Sequence, residues 1–289
     1  MIYIELTHYD NYCVKTEHYV KNVDTGIGNM LFQIASNVAY GKKYNSEVYV
    51  IGLNTYFRLE ELIKENTIFR NINKIENIRI DPSFIKNFDP KKLIYEIPYI
   101  DKMKVLSHFE NYNNFDNERE LILSLFSPNE NDKLYLYNKY NKYNKYNKYE
   151  VINEENISSM HIRCGTIYRR NYNITANNIL SNELTKLYYK GLDKMLEVNN
   201  NINKIIVCSD DMTYCKDILN IDKYKNIKFI YSTERDYMDI WLISLIKNNI
   251  VSFSTLSWWG SYLNTNNDKL IVCCKEFRED LQMPGWIIV

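Results

Sequence analysis

The second half of the chain switches repeatedly between two hydrophobic periods, and this rhythm limits the available folds more than any other feature. ISSMHIR (157–163), KIIVCS (204–209), IKFIYS (227–232), NIVSFS (249–254) and KLIVCC (269–274) are short apolar runs of strand length. Between them, the stretch 181–197 puts Leu184, Leu187, Tyr188, Leu192, Met195 and Leu196 on one helical face. Further helices are expected over about 212–219, 236–247 and 256–264. Strands alternating with helices in this way imply an open, doubly wound parallel sheet, because each crossover helix buries its apolar stripe on a sheet face.

The first half is also α/β, with weaker signals. DTGIGN (24–29) is a glycine-bearing turn that opens an apolar helix running to about Tyr44. EVYVIG (47–52) reads as a strand, and RLEELIKEN (58–66) and 117–126 as helices. Between the halves, YNKYNKYNKYNKY (137–149) repeats every three residues. That period matches neither helix nor strand and presents no single apolar face. It reads as an expanded codon repeat in a tolerant surface segment rather than a basic–aromatic nucleic-acid stripe. The expected organisation is an amino-terminal α/β domain over 1–136, a low-complexity junction over 137–150, and a Rossmann-like α/β domain over 151–289.

Charge argues against polyanionic partners. Lys and Arg total 36, as do Asp and Glu, so no net field would hold the chain on nucleic acid or an anionic membrane. The six cysteines include no Cys-x-x-Cys pair and read as free, buried thiols in a reducing compartment. No signal peptide opens the sequence, and its most apolar run (240–246) is too short to span a bilayer. A soluble, cytoplasmic protein is expected.

Ligands of such sheets sit at the carboxyl ends of the strands. Arg163, the segment Ser209, Asp210 and Asp211, and the segment Ser254, Thr255 and Ser257 all fall there. A guanidinium grips phosphate through parallel hydrogen bonds, and FSTLSWWG opens a helix whose first N–H groups point outward. Simpler readings exist for several of these residues. Asp210 or Asp211 would serve as a helix cap, Asn29 as turn chemistry, and His161 as a satisfied core histidine. Trp258 and Trp259 read as packing residues. Arg163 is harder to explain without an anion, because a strand-end cation after an apolar run is costly to desolvate. Asp210 and Asp211 are adjacent, but no third group is spaced to complete a metal cage.

Six segments, in order from Gly26 to the carboxyl terminus, resemble the motifs of the α-1,2-fucosyltransferases, glycosyltransferase family 11. They are GIGNMLFQIA, VLSHFENYNNF, MHIRCGT, CSDDMTYCK, NNIVSFSTLSWWGSYLN and MPGWIIV. The resemblance implies a GT-B-like enzyme with two Rossmann-type domains and a cleft between them. It further implies a metal-independent, inverting transfer of L-fucose from GDP-fucose to a glycan hydroxyl, with no cofactor beyond the donor. Arg163, His161 and Asn29 are then the catalytic candidates. Gly26, Gly28, Arg163, Ser209, Asp210, Asp211, Ser254, Thr255 and Ser257 are the donor-binding candidates. The partners implied are a nucleotide sugar and a glycan acceptor, with any membrane association peripheral and through the acceptor. Three positions depart from the pattern: Cys164 replaces the motif's second arginine, Thr166 its aspartate, and Thr25 the first turn glycine. If that aspartate is the base, Asp210, Asp24 and Glu110 are the available substitutes. The same residues also suit a sugar-nucleotide or glycan-binding module without turnover, or a transferase with another donor.

Overall fold

The computed structural model describes residues 1–5, 26–51, 67–75, 85–87, 93–106, 109–140, 156–165, 171–175, 177–234 and 237–289. The chain divides into two compact units, Met1–Ser127 and Pro128–Val289. Each is built on an all-parallel sheet.

In the first unit, β1 (Ile2–Glu5) leads towards helix α1 (Ile27–Lys43), followed by β2 (Val48–Ile51), β3 (Lys74–Ile75), β4 (Ile85–Asn87) and β5 (Met103–Leu106). The sheet order is β3-β2-β1-β5-β4, so the chain reverses its direction of growth between β1 and β5. Helix α1 is apolar on almost every face and accordingly buried along most of its length. Its Tyr40 hydroxyl donates to the Ile97 carbonyl at 2.8 Å. Lys42 and Lys43 end the helix where its dipole favours cations. Helix α2 (Arg119–Phe126) closes the unit. The helix expected over 58–66 and residues Asp24 and Thr25 lie outside the described residues.

The second unit begins with α3 (Glu130–Tyr140), an element absent from the sequence expectation. Its start is a reciprocal cap. Asn129 accepts from the Asp132 N–H at 2.9 Å, and Asp132 accepts from the Asn129 N–H at 3.1 Å. The repeat therefore does not behave uniformly as a tolerant surface segment. Residues 137–140 complete this helix, and Tyr140 is buried. Residues 141–149 are outside the described set.

The expected alternation then follows: β6 (Ile157–Ile162), α4 (Glu183–Val198), β7 (Lys204–Ser209), α5 (Met212–Leu219), β8 (Lys228–Tyr231), α6 (Tyr237–Leu245), β9 (Asn248–Val251), α7 (Thr255–Tyr262), β10 (Leu270–Cys273) and the short β11 (Ile287–Ile288). Met160, Ile162, Ile205, Val207, Ile250 and Val272 form one sheet face, packed under Leu184, Tyr188, Leu192 and Met195 of α4 and under α5. Alternate residues point to the opposite face. There Asn249 binds the Ser159 hydroxyl and the Ile243 and Ile246 carbonyls at 2.8–3.0 Å, tying the sheet to the end of α6. Trp258 and Trp259 are core residues, as their neighbours suggested, and the Trp258 indole N–H reaches the Leu281 carbonyl at 2.7 Å.

The second sheet is ordered β11-β10-β9-β6-β7-β8. Numbered within the unit, this is 3-2-1-4-5-6, the dinucleotide-fold order. Its switch point, where ligands of such sheets bind, lies between the carboxyl ends of β6 and β9.

Candidate active site

Arg163 leaves the end of β6 with its side chain 45% exposed, and its Nη1 lies 3.1 Å from Asp210 Oδ2. The other Asp210 oxygen accepts the Cys164 N–H at 2.8 Å. One carboxylate thus holds both the guanidinium and the backbone just beyond it. Gly165 makes this approach possible, since a Cβ there would stand 2.4 Å from Asp210 Oδ2. On the other side, the Tyr188 hydroxyl accepts the Arg163 N–H at 2.9 Å and donates to the Arg163 carbonyl at 2.7 Å. Tyr188 is buried in α4 and meets Phe253 edge-on, with ring centroids 6.4 Å apart. Asp210 thus holds the guanidinium and Tyr188 the backbone that carries it, while the Arg163 side chain stays about half exposed, an arrangement suited to meeting an anion.

The adjacent carboxylate has a different task. Asp211 caps α5 by accepting the Tyr214 N–H at 3.0 Å, and the Ser209 hydroxyl accepts the Asp211 N–H at 2.9 Å. Asp211 and Ser209, two of the expected donor-binding residues, therefore have assigned local work. Asp210 is the one that turns towards the arginine.

Across the switch point, the turn after β9 is held by its own hydroxyls. The Ser254 N–H donates to the Ser252 carbonyl at 2.7 Å, and Ser254 Oγ caps α7 by accepting the Leu256 N–H at 3.3 Å. Ser257, expected to offer its hydroxyl to phosphates, is buried. It donates to the Ser254 carbonyl at 2.9 Å and accepts the Ser252 N–H at 3.3 Å. Ser254 and Thr255, half-buried, remain the parts of this turn open to a ligand.

His161 lies beneath both turns. It is 3% exposed, and its Nδ1 sits 3.1 Å from Ser252 Oγ. Burial, followed by the neighbouring Arg163 charge, pulls its pKa down from 6.5 to about 3, so the ring is neutral at physiological pH. It couples the two strand ends from below.

Gly26, Gly28 and Asn29 belong to the first unit. Gly26 precedes α1 with φ −60° and ψ 145°, is exposed, and would have nothing within 4 Å of an added Cβ. Among the described residues, neither backbone strain nor packing demands glycine there. Gly28 is buried and Asn29 half-buried in the first turn of α1. Glu110 is half-buried, and Thr166 lies outside the described residues.

Among the described residues, no cluster of three or more His, Cys, Asp or Glu suits a metal ion, and no helix is long and apolar enough to cross a membrane. The five described cysteines, Cys164, Cys208, Cys215, Cys273 and Cys274, are buried and free. Burial raises the Cys215 thiol to about 12, which makes it a poor nucleophile.

Sequence reasoning did not find Tyr188 as a clamp or the pairing of Asp210 with Arg163. Its pattern for Tyr188 was a core stripe, which is accurate for the ring but silent about the hydroxyl.

Comparison with known proteins agrees with this geometry. Residues 22–288 match the family model of Glycosyl transferase family 11. The O-antigen biosynthesis glycosyltransferase WbnK of Escherichia coli is 28% identical over 248 residues, covering 78% of this chain and 77% of its own. An α-1,2-colitosyltransferase of Escherichia coli is 27% identical over 265 residues, covering 82% of this chain and 84% of its own. The crystal structure of the fucosyltransferase NodZ from Bradyrhizobium superposes with a TM-score of 0.53 at 9% identity, covering 90% of this chain and 92% of that one. This likeness shows a GT-B-like α/β fold. With the match spanning nearly the whole chain, from before α1 to the last strand, the protein belongs to glycosyl transferase family 11, the α-1,2-fucosyltransferase family, and is a fucosyltransferase-like glycosyltransferase.

Proposed function

We propose that the protein transfers L-fucose from GDP-fucose to a glycan hydroxyl, the 2-hydroxyl of a galactoside, with inversion at the sugar's anomeric carbon. The observation that carries this reading is a half-exposed arginine, its guanidinium braced by Asp210 and its backbone by Tyr188, at the switch point of a sheet with the dinucleotide-fold order. In the reaction the acceptor oxygen bonds to C1 of the sugar while the bond from C1 to the β-phosphate oxygen breaks. The electron pair stays on the phosphate. Arg163 takes up that charge through its Nη groups, and the Ser254–Thr255 turn adds donors from the β9 side. A preorganised donor of this kind contributes roughly 3–4 kcal/mol at the transition state.

Asp210 braces the strand end, since one of its oxygens holds Arg163 and the other the Cys164 amide. Both of its oxygens are already engaged, so we take Asp24 and Glu110 as the other acidic candidates for the base that receives the acceptor's proton. By the family resemblance, Gly26, Gly28 and Asn29 are our candidates for contacts to the sugar or the acceptor.

One observation favours a second reading of the donor. A relative at 27% identity is named as a colitosyltransferase, so a GDP-linked sugar other than fucose suits the same diphosphate grip. The test is direct. Purified protein is incubated with GDP-fucose and a β-galactoside, and both GDP release and the linkage of the product are followed. Transfer to the 2-hydroxyl supports the proposal. Transfer only from a different GDP-sugar replaces the donor, and tight GDP binding without turnover identifies a binding module.

A further inference from the structure

The repeat contains four Asn-Lys-Tyr copies, at 138–140, 141–143, 144–146 and 147–149. The first copy has specific work in the fold. Its Tyr140 hydroxyl accepts the Thr233 N–H at 3.1 Å and lies 3.1 Å from Ser232 Oγ and 3.3 Å from Glu234 Oε1. Ser232 gives its own proton to Asp239 at 2.6 Å and accepts the Glu234 N–H at 3.1 Å. The Tyr140 proton is therefore directed to Ser232 or Glu234. Lys139 adds an ion pair to Glu234, whose side chain is 7% exposed. All three residues that follow β8 are thus bound from the end of α3.

That turn lies at the carboxyl edge of the same sheet as Arg163. It is two strands from β6, about 10 Å at the usual strand spacing. A nucleoside diphosphate gripped at the switch point and laid across the ends of β7 and β8 meets it. We infer that the first Asn-Lys-Tyr copy is a latch on the β8–α6 turn, with Tyr140 a positioning residue for the nucleoside half of the donor. This rests on the donor reading above.

The repeat has a further consequence for the latch. Because the copies are identical, removing any one of them moves the next into place, and the chain still presents Asn-Lys-Tyr at 138–140. Copy number can change without disturbing the latch until the last copy is lost. A tandem repeat directly after a structural contact is tolerated for this reason.

The test compares Tyr140→Phe with Tyr143→Phe, the same change in the next copy, and with deletion of two copies (144–149). GDP binding is measured by calorimetry, and donor KM and kcat by GDP release. Tyr140→Phe keeps the ring and loses the hydroxyl's bonds. It should weaken GDP binding and raise donor KM about fivefold, the effect of roughly one hydrogen bond, with kcat within about twofold. Tyr143→Phe and the two-copy deletion should bind GDP like the wild type. A folded Tyr140→Phe protein with wild-type GDP affinity overturns the latch, even if its melting temperature falls. Equal losses in Tyr140→Phe and Tyr143→Phe overturn it as well. Arg163→Ala is the control for the reading beneath. If the wild type binds GDP and Arg163→Ala does not, the donor site stands whatever Tyr140 does. If the wild type binds no GDP, both fall together.

Discussion

The two strand ends that flank the switch point solve the same problem by opposite means. After β6 the chain presents a cation held by distant elements, with Asp210 reaching over from β7 and Tyr188 from α4. After β9 it presents a neutral turn held mainly by local bonds, with Ser252, Ser254 and Ser257 exchanging them over a few residues and His161 adding one from β6. The difference follows from charge. A guanidinium that must stay half in water for an anion cannot be buried for rigidity, so its orientation is imposed by an ion pair with Asp210, while the buried Tyr188 fixes the backbone that carries it. Backbone donors carry no such desolvation cost, and a local turn is enough to aim them.

If the division is real, the β6 end should dominate turnover. Arg163→Ala removes the charge while leaving the Tyr188 clamp on its backbone. Transfer is expected to fall by about a hundred- to a thousandfold, with the circular dichroism and melting temperature close to wild type. Near-normal transfer in a folded variant would remove the cation from the mechanism and with it the contrast between the two ends.

The next effect tests whether the brace matters beyond the charge it braces. Gly165→Ala places a Cβ 2.4 Å from Asp210 Oδ2, so the oxygen that pairs with Arg163 must shift. Asp210→Asn keeps the shape and loses the charge. Loss of a charge-assisted bond predicts a drop in kcat of roughly ten- to a hundredfold for each. The double variant should be little worse than either single one, because the two changes break the same contact. Additive losses in a double-mutant cycle would show that Gly165 acts through something other than Asp210.

At the β9 end, Ser257→Ala should cost about 1 kcal/mol of stability in denaturant unfolding, and transfer should stay within about fivefold. The turn loses the hydroxyl's bonds to Ser252 and Ser254 while its helix cap on Ser254 survives. A hundredfold loss of transfer would mean that this end is no less demanding than the other.

These two ends were also unequally legible from sequence. The sheet itself was plain, because strands such as KIIVCS are buried on both faces and read as continuous apolar runs. Arg163 stood out because it ends such a run. Its partners did not. Asp210 is 46 residues from Cys164 in the chain, and the Tyr188 clamp spans 25, and no local period encodes either pairing. The local bonding of Ser257 was not legible either, because its hydroxyl donates to the carbonyl three residues back, a choice fixed by the geometry of the turn. Helix α3 escaped notice although its cap, Asn129 with Asp132, is a sequence-level signal. The body of that helix runs into the repeat, whose three-residue period hides the apolar face that Leu136 and Tyr140 provide.

His161 joins the two ends, and it is expected to have the smallest effect on transfer. With its ring neutral and bonded to Ser252, His161→Asn should leave transfer at pH 7.5 within about twofold. Its signature is acid stability. The folded pKa lies at about 3 against an ordinary value of 6.5, so between those limits the unfolded chain binds a proton that the folded chain refuses. Stability from this group is present in full above pH 6.5 and is lost as the pH falls towards 3. Melting curves at pH 7 and pH 5 should therefore show a smaller acid-induced drop in His161→Asn than in the wild type. An unchanged drop would mean that the imidazole is not the buried neutral bridge, and a tenfold fall in transfer at pH 7.5 would move it from beneath the two turns into the chemistry between them.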